Sequence, residues 1–283
     1  MRRLTILALL LAVMVPARAL AQTTATAAPQ TPAAAPAAKP TSAAPWAVGE
    51  KYFIEFSYTY WAPSLQGSVS SDGLGLIGST VDLTSDLSLE SARFDDFRFV
   101  IRPAKKHRIK VQYTPIAFEG SGVLARDITF SGIVYPIALP VESTLNWKVF
   151  RVGYEWDFFY RPKGFIGVLV STGFTKMDAR IDSIIGNASV EAQSPLVEIG
   201  AAGRFYPIRH LAINAEGSGI KLTDLEPDSV LKTMSWDLSA TYNITNNFGV
   251  SGGWRRLDTD LKVSEGSGDL VFKGLWIGGS IRY

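Results

Sequence analysis

The sequence predicts a closed antiparallel up-and-down transmembrane β-barrel of about ten strands. Three observations carry the prediction: an export signal at the N-terminus, segments whose apolar residues recur at every second position, and connections that alternate between short and long.

The export signal is compact. Arg2 and Arg3 give a positive start, Leu4 to Val15 an apolar core, and Ala19-Leu20-Ala21 a small-x-small cleavage site. The apolar core is shorter than the about 20 residues that a membrane helix needs. Residues 1–21 therefore read as a cleaved signal peptide. Their removal takes away Arg2, Arg3 and Arg18 and no acid, so the net charge of +2 becomes −1. That balance favours no nucleic-acid partner. The chain has no cysteine, which excludes a lipid-anchored N-terminus, disulfides and thiolate chemistry. Residues 22–45 are nearly all Ala, Pro and Thr and bury too little to offset their ordering entropy, so they read as a disordered periplasmic leader. Residues 46–283 are expected to form one domain. No later run has the uninterrupted apolar length of a membrane helix. In lipid only a closed barrel otherwise satisfies the backbone.

The period-two segments come next. Tyr52, Ile54, Phe56, Tyr58 and Tyr60 alternate with Phe53, Glu55, Ser57 and Thr59. Phe150, Val152, Tyr154, Trp156 and Phe158 alternate with Arg151, Gly153, Glu155 and Asp157. Trp236, Leu238, Ala240, Tyr242 and Ile244 alternate with Asp237, Ser239, Thr241 and Asn243. Leu275, Ile277, Gly279, Ile281 and Tyr283 do so with Trp276, Gly278, Ser280 and Arg282. Successive strand side chains face opposite sides, so each segment has one apolar and one polar or small face. Eight steps of about 3.3 Å tilted by roughly 40° rise about 20 Å, close to the apolar band of a membrane barrel. Strands are read near 51–62, 89–102, 108–123, 142–160, 165–180, 190–206, 211–222, 231–244, 248–263 and 269–283; eight or twelve strands fit the same reading. Short turns are expected at 103–107, 161–164, 207–210 and 245–247, and longer connections at 63–88, 124–141, 181–189, 223–230 and 264–268. This alternation places both termini in the periplasm. Phe158, Phe159, Tyr160, Phe165, Phe205, Tyr206, Tyr242, Phe248 and Tyr283 cluster near the short turns as a headgroup girdle.

The end of the chain carries the most specific cue. Gly278, Ile281 and Tyr283 stand at the Gly, hydrophobic and terminal-aromatic positions of a last-strand pattern, although Trp276 departs from the polar residue usual at its start. On these residues and this architecture, residues 46–283 resemble the small bacterial outer-membrane β-barrels, similar to the OmpA transmembrane domain and to OmpW-like proteins. The resemblance implies an outer-membrane location, contact with lipid and lipopolysaccharide, and recognition of the last strand by the barrel-assembly machinery. It specifies no oligomeric state. OmpW-like barrels imply, as an alternative, a conduit or binder for small hydrophobic molecules.

The chemistry read from residues is sparse. Glu55, Asp96, Arg98, Arg102, Lys110, Arg151, Glu155, Asp157, Glu198, Arg204, Glu216, Asp237, Arg255 and Arg282 fall on the expected lumen face. Both signs recur, and a barrel of about ten strands is narrow, so a paired network with Arg98, Arg151, Glu155, Glu198, Arg204 and Glu216 at its centre is favoured over an open ion path. His107 and His210 fall in short turns, on the membrane face opposite that used by lipid A-modifying enzymes, and His210 lacks the serine two positions on that a lipid A deacylase carries. No catalytic residue, cofactor or metal site is expected, and the chain reads as a non-enzyme. Asp72, Asp82, Asp86, Glu90, Asp258, Asp260, Glu265 and Asp269 have no EF-hand spacing and read as a solvated rim. Gly217-Ser218-Gly219 lacks the spacing of a nucleophile elbow. Two external connections are apolar: Leu74, Leu76, Ile77, Val81, Leu83, Leu87 and Leu89, then Ile128, Phe130, Ile133, Val134, Tyr135, Ile137 and Leu139. They are expected to pack on each other, or else to form a lid or hydrophobic site at the outer mouth. The overall reading is a structural, surface-interaction or narrow-passage barrel.

Overall fold

The computed structural model describes residues 46–72, 77–89, 94–223, 230–263 and 266–283. Its elements are all strands: β1 (Ile54–Ser71), β2 (Val81–Asp82), β3 (Phe94–Ala104), β4 (His107–Val123), β5 (Ile128–Phe130), β6 (Ile133–Tyr135), β7 (Pro140–Arg161), β8 (Gly164–Ser183), β9 (Gly186–Ile208), β10 (Leu211–Thr223), β11 (Val230–Asn243), β12 (Phe248–Val263) and β13 (Gly266–Arg282). Ten of them form an antiparallel ring in the order β1-β3-β4-β7-β8-β9-β10-β11-β12-β13. The ring closes where β13 returns to β1, in a continuous register from Glu55↔Arg282 to Ser71↔Gly266. Closure leaves no ring strand with an unpaired edge, the condition for standing in lipid. Strand β2 pairs onto β1, and β5–β6 is a separate hairpin. Its Ser131-Gly132 turn has φ of 50° and 80°, the left-handed pair that matches hairpin twist.

All ten expected barrel strands are present, but several extend further than the sequence reading placed them. β1 runs on to Ser71 instead of ending at 62. The connections expected at 181–189 and 264–268 are mostly strand: β8 and β9 meet across Ile184-Ile185 alone, and β13 begins at Gly266. Sequence reading stopped these strands where their outward residues turned polar. In fact β7 holds 22 residues and β9 holds 23, so at about 3.3 Å per residue and roughly 40° tilt they rise about 55 Å, twice the apolar band of such a barrel. The four short turns fall where expected.

The barrel therefore has two halves. In the half that carries the chain ends, the outer surface is apolar. Phe56, Tyr58, Phe97, Val152, Tyr154, Trp156, Val168, Val170, Ile199, Trp236, Leu238, Trp254, Leu275 and Ile277 are all exposed. In the loop half, the same outward parity carries Glu142, Lys148, Lys176, Arg180, Glu191, Lys232, Asp260 and Lys273. The inward parity changes the opposite way. On β7 it reads Val141, Leu145, Trp147 and Val149, then Arg151, Glu155 and Asp157. Both faces thus exchange polarity at one level around the ring.

The loop-half interior is a dry core. Trp61, Leu65, Phe94, Ile116, Phe118, Leu145, Trp147, Ile181, Leu257 and Phe272 fill it. Phe118 stacks on Phe272 at 5.8 Å between centroids, and Trp147 packs tilted against it at 4.9 Å. The apolar connections close its mouth: Val81, Leu83, Leu87, Leu89, Leu124, Ile128, Phe130, Tyr135 and Leu139 are buried in the same cluster. They pack into the barrel as well as on each other. Ile77, Val134 and Ile137 stay exposed, and Leu74 and Leu76 lie outside the described residues. Asp82 ties the cap locally, accepting from the Ser85 and Thr84 amides at 2.7 and 2.9 Å, and these bonds hold its carboxyl low. Arg126 reaches across to Asp86 at 2.5 Å.

Candidate functional site

Alternation on the ring strands sends one charged residue after another into the chain-end half of the lumen. Arg98, Arg102, Arg108, Lys110, Arg151, Arg204, Arg255 and Arg282 there face Glu50, Glu55, Asp96, Glu155, Asp157, Glu198, Glu216 and Asp237, eight of each sign. Arg108 joins Glu155 at 2.6 Å and Asp157 at 2.5 Å. Lys110 joins Glu155 at 2.5 Å and Glu216 at 2.7 Å, and Arg98 reaches Glu216 at 3.6 Å. Arg255 bridges Asp96 at 3.0 Å and Asp237 at 2.8 Å. Arg151 pairs with Glu198 at 3.2 Å, and Arg282 with Glu55. Of the six residues at the centre of the expected network, Arg98 and Glu216 meet, Arg151 and Glu198 meet, and Glu155 lies one Lys110 away. Arg204 binds elsewhere, to Glu50 and Asn214. Ser218, flanked by glycines, faces the same lumen and bonds Ser235 at 2.8 Å. Two adjoining cavities of about 120 and 60 Å³ run between these side chains, room for several waters.

The chain-end opening is filled by the segment before β1. Val48 N donates to Arg209 O at 2.8 Å, and Gly49 N to Asn246 Oδ1 at 3.0 Å. Ala47 is buried against Tyr206 and Ala212. At Gly49, φ is +86°, and a Cβ there would lie 2.6 Å from Asn243 Oδ1, so only glycine makes this entry. The turn delivers Glu50 into the lumen. Its Oε1 accepts from Tyr206 OH at 2.6 Å and Arg204 Nη1 at 3.0 Å. Its Oε2 stands 3.0 Å from Arg102 and 3.8 Å from Arg108. Burial alone would raise this carboxyl, but Arg204, Arg102 and Arg108, with the Tyr206 hydroxyl, outweigh burial and hold it at about 2.

Neither Arg108 nor Glu50 was singled out in the sequence. Arg108 shares the parity of Lys110 and is legible two positions away, as the first residue of the strand expected at 108–123. Glu50 precedes any alternation, and its partner Arg204 is 154 residues distant. Four expected outward aromatics are corrected as well. Phe165 and Tyr206 are buried inside, Tyr160 bonds Arg102 at 3.0 Å, and Tyr52 turns in to stack under Arg102 and Arg282. In each case a lumen arginine takes a ring face or hydroxyl as partner. Phe158, Phe159, Phe205, Tyr242, Phe248 and Tyr283 do face outward near the short turns.

The remaining candidates are placed as follows. Gly278 lies on the lumen face, where a Cβ would meet Tyr58 O at 2.5 Å; Ile281 and Tyr283 point out. The Tyr283 backbone continues the seam, donating to Ile54 O and accepting from Phe53 and Ile54. His107 Nδ1 lies 2.5 Å from Tyr154 OH, and His210 Nδ1 lies 2.7 Å from Asn243 O, both at the chain-end rim. Asp258 and Asp260 pair with Arg256 and Lys232, while Glu90 and Glu265 lie outside the described residues. Among the described residues no cluster of three metal-ligating side chains occurs.

No protein-family description and no curated protein matches this chain. Solved structures do. The outer-membrane protease OmpT of Escherichia coli aligns over 81% of this chain and 96% of its own, at 11% identity and TM-score 0.52. The attachment invasion locus protein of Yersinia pestis aligns over 81% and 98%, at 10% identity and TM-score 0.36. The toluene transporter TodX of P. putida aligns over 81% and 90%, at 7% identity and TM-score 0.34. The OmpT likeness shows a shared fold, and the other two superpose too loosely to argue from. The fold shared with OmpT is a closed antiparallel β-barrel.

Proposed function

We propose that this chain is an integral barrel of a bacterial outer membrane, with both termini periplasmic, that conducts nothing and offers its tall outer half as a surface-interaction or structural platform. The observation that carries the reading is the dry core. Among the described residues, side chains of the barrel and its cap occupy the loop half closely, and an apolar cavity between Trp147, Met177 and Leu231 measures about 20 Å³. The charged lumen below is paired, and Trp46–Glu50 fills its other end. Small barrels are filled by side chains in this way, whereas open pores need more strands. The same filling, among the described residues, weighs against the hydrophobic-molecule conduit that OmpW-like barrels imply. Enzymatic activity on lipid A is disfavoured by the positions of His107 and His210 at the rim opposite the loops. Planar-bilayer recordings of the refolded protein test the reading: a flat trace is expected, and resolved unitary steps would overturn it. Lipid A mass spectra from cells with and without the protein are expected to coincide.

A further inference from the structure

We propose that Arg102, Arg108, Arg204 and Tyr206 form a carboxylate-binding site at the chain-end mouth of the lumen, which the chain fills with its own Glu50 to hold Trp46–Glu50 in place as a stopper. The geometry is that of a ligand site. One carboxylate, itself buried, is met by guanidinium groups from β3, β4 and β9 and by the Tyr206 hydroxyl. None of these partners is near it in sequence. The site also has donor capacity that Glu50 does not use: the buried Arg108 Nη2 makes no hydrogen bond and stops 3.8 Å from Oε2. Electrostatics points the same way. Without Glu50 the lumen's eight cations face seven carboxylates, and the surplus charge is concentrated at Arg102 and Arg204, which have no other acidic partner. A buried charge left in this way draws in an anion or destabilises the fold. The rest of the stopper is held by the Val48 and Gly49 amides, by Arg209 Nε on Trp46 O at 3.1 Å, by Lys163 over the Trp46 ring, by Arg102 Nη1 on the Glu50 carbonyl at 2.6 Å, and by the small contact of Trp46 and Ala47 with Tyr206 and Ala212. The carboxylate, met by Arg204, Arg102 and Tyr206, is its one charged anchor. A small free carboxylate is the ligand class that fits once Glu50 is gone, because it reproduces the two oxygens.

The native chain has no cysteine, so one introduced thiol reports on the stopper. Ala47→Cys, refolded as the full barrel in detergent, is expected to react slowly with a charged maleimide. Adding Glu50→Ala is expected to speed labelling by roughly tenfold or more, a modest part of what an unpaired buried charge costs. Separately, the heat-unfolding midpoint of Glu50→Ala is expected to rise in sodium acetate or formate over sodium chloride at equal ionic strength. The native protein, its site filled, is expected to show no such difference. Glu50→Gln, which keeps the side-chain shape, is read in parallel on the fraction that migrates as folded barrel. Equal labelling with and without Glu50 would overturn the stopper. Equal response of native and variant proteins to carboxylate would overturn the site.

Discussion

Glu155 shows what one lumen residue contributes. Its side chain is buried and joins Arg108 and Lys110. Glu155→Ala leaves two cations short of a partner, and the expected loss is about 3–5 kcal/mol, drawn toward the lower end because the adjoining cavity has room for water. Arg151 has only Glu198 and is partly open to that cavity, so Arg151→Ala is expected to cost about 1–3 kcal/mol. Denaturant unfolding of both variants in detergent checks the pair: losses below about 0.5 kcal/mol for both would mean these charges sit in water. Glu50 adds a pH dependence of definite sign. Its folded carboxyl, at about 2, lies below the ordinary 4.5. The stabilisation it provides is therefore complete above about pH 5 and lost as pH falls through about 2. Between pH 3 and 7, Glu50→Gln is expected to show a smaller rise in unfolding midpoint than the native protein. These residues were unequally legible in the sequence. Arg151, Glu155 and Asp157 announced themselves by sharing a parity with nothing apolar beside them. Glu50 had no such signal, because its role depends on a turn at Gly49 and on partners assembled from three strands.

At the scale of elements, β7 explains why the lower barrel could be read and the upper could not. Along Phe150 to Phe158 the apolar face looks outward, as the sequence reading assumed throughout. Along Val141 to Val149 the apolar parity is the inward one. The chain alternates without interruption, but what alternates changes sides between Lys148 and Arg151. Reading one polarity along the whole strand hid the dry core and shortened the strands. The last strand makes a separate prediction. Tyr283 contributes its backbone to the seam with β1 while its ring points out. Deleting Tyr283 removes seam hydrogen bonds and the ring together; Tyr283→Asp keeps the backbone. Both are expected to lower the amount reaching the outer membrane, and only the deletion is expected to lower the unfolding midpoint of refolded protein appreciably. Cell fractionation with a parallel melt separates the two, and normal outer-membrane levels of Tyr283→Asp would argue against recognition of the ring.

For the whole molecule, closure is the governing fact. Every ring strand is hydrogen-bonded on both sides, so there is no edge from which unfolding can begin cheaply. Unheated protein in dodecyl sulfate is expected to stay folded and to migrate apart from boiled protein on a gel. A single band under both conditions would contradict a closed ring. The number of barrel strands was legible because the short turns carry turn-forming residues, such as Pro162 and Asn246-Asn247, and each strand its own rhythm. The two stoppers were not, since a cap formed from Leu83, Phe130 and Tyr135 and a plug formed from Trp46–Glu50 obey no period.

For the proposed outer-membrane barrel, the exchange of polarity on the outer wall also sets how the molecule floats. Lys148, Lys176, Arg256 and Lys273 point outward at the upper edge of the apolar belt, with Lys232 two outward positions beyond Trp236; Lys176, Lys232 and Arg256 are paired there with Glu191, Asp260 and Asp258. Drawing one such cation into hydrocarbon costs up to about 2–4 kcal/mol, and a thick bilayer would draw in several at once. In the proposed outer-membrane setting this charged band is in effect a draught mark: the barrel cannot ride lower, so the lipid must thin to meet it. Refolding yield should therefore be highest in short-chain lipids and fall as the acyl chains lengthen.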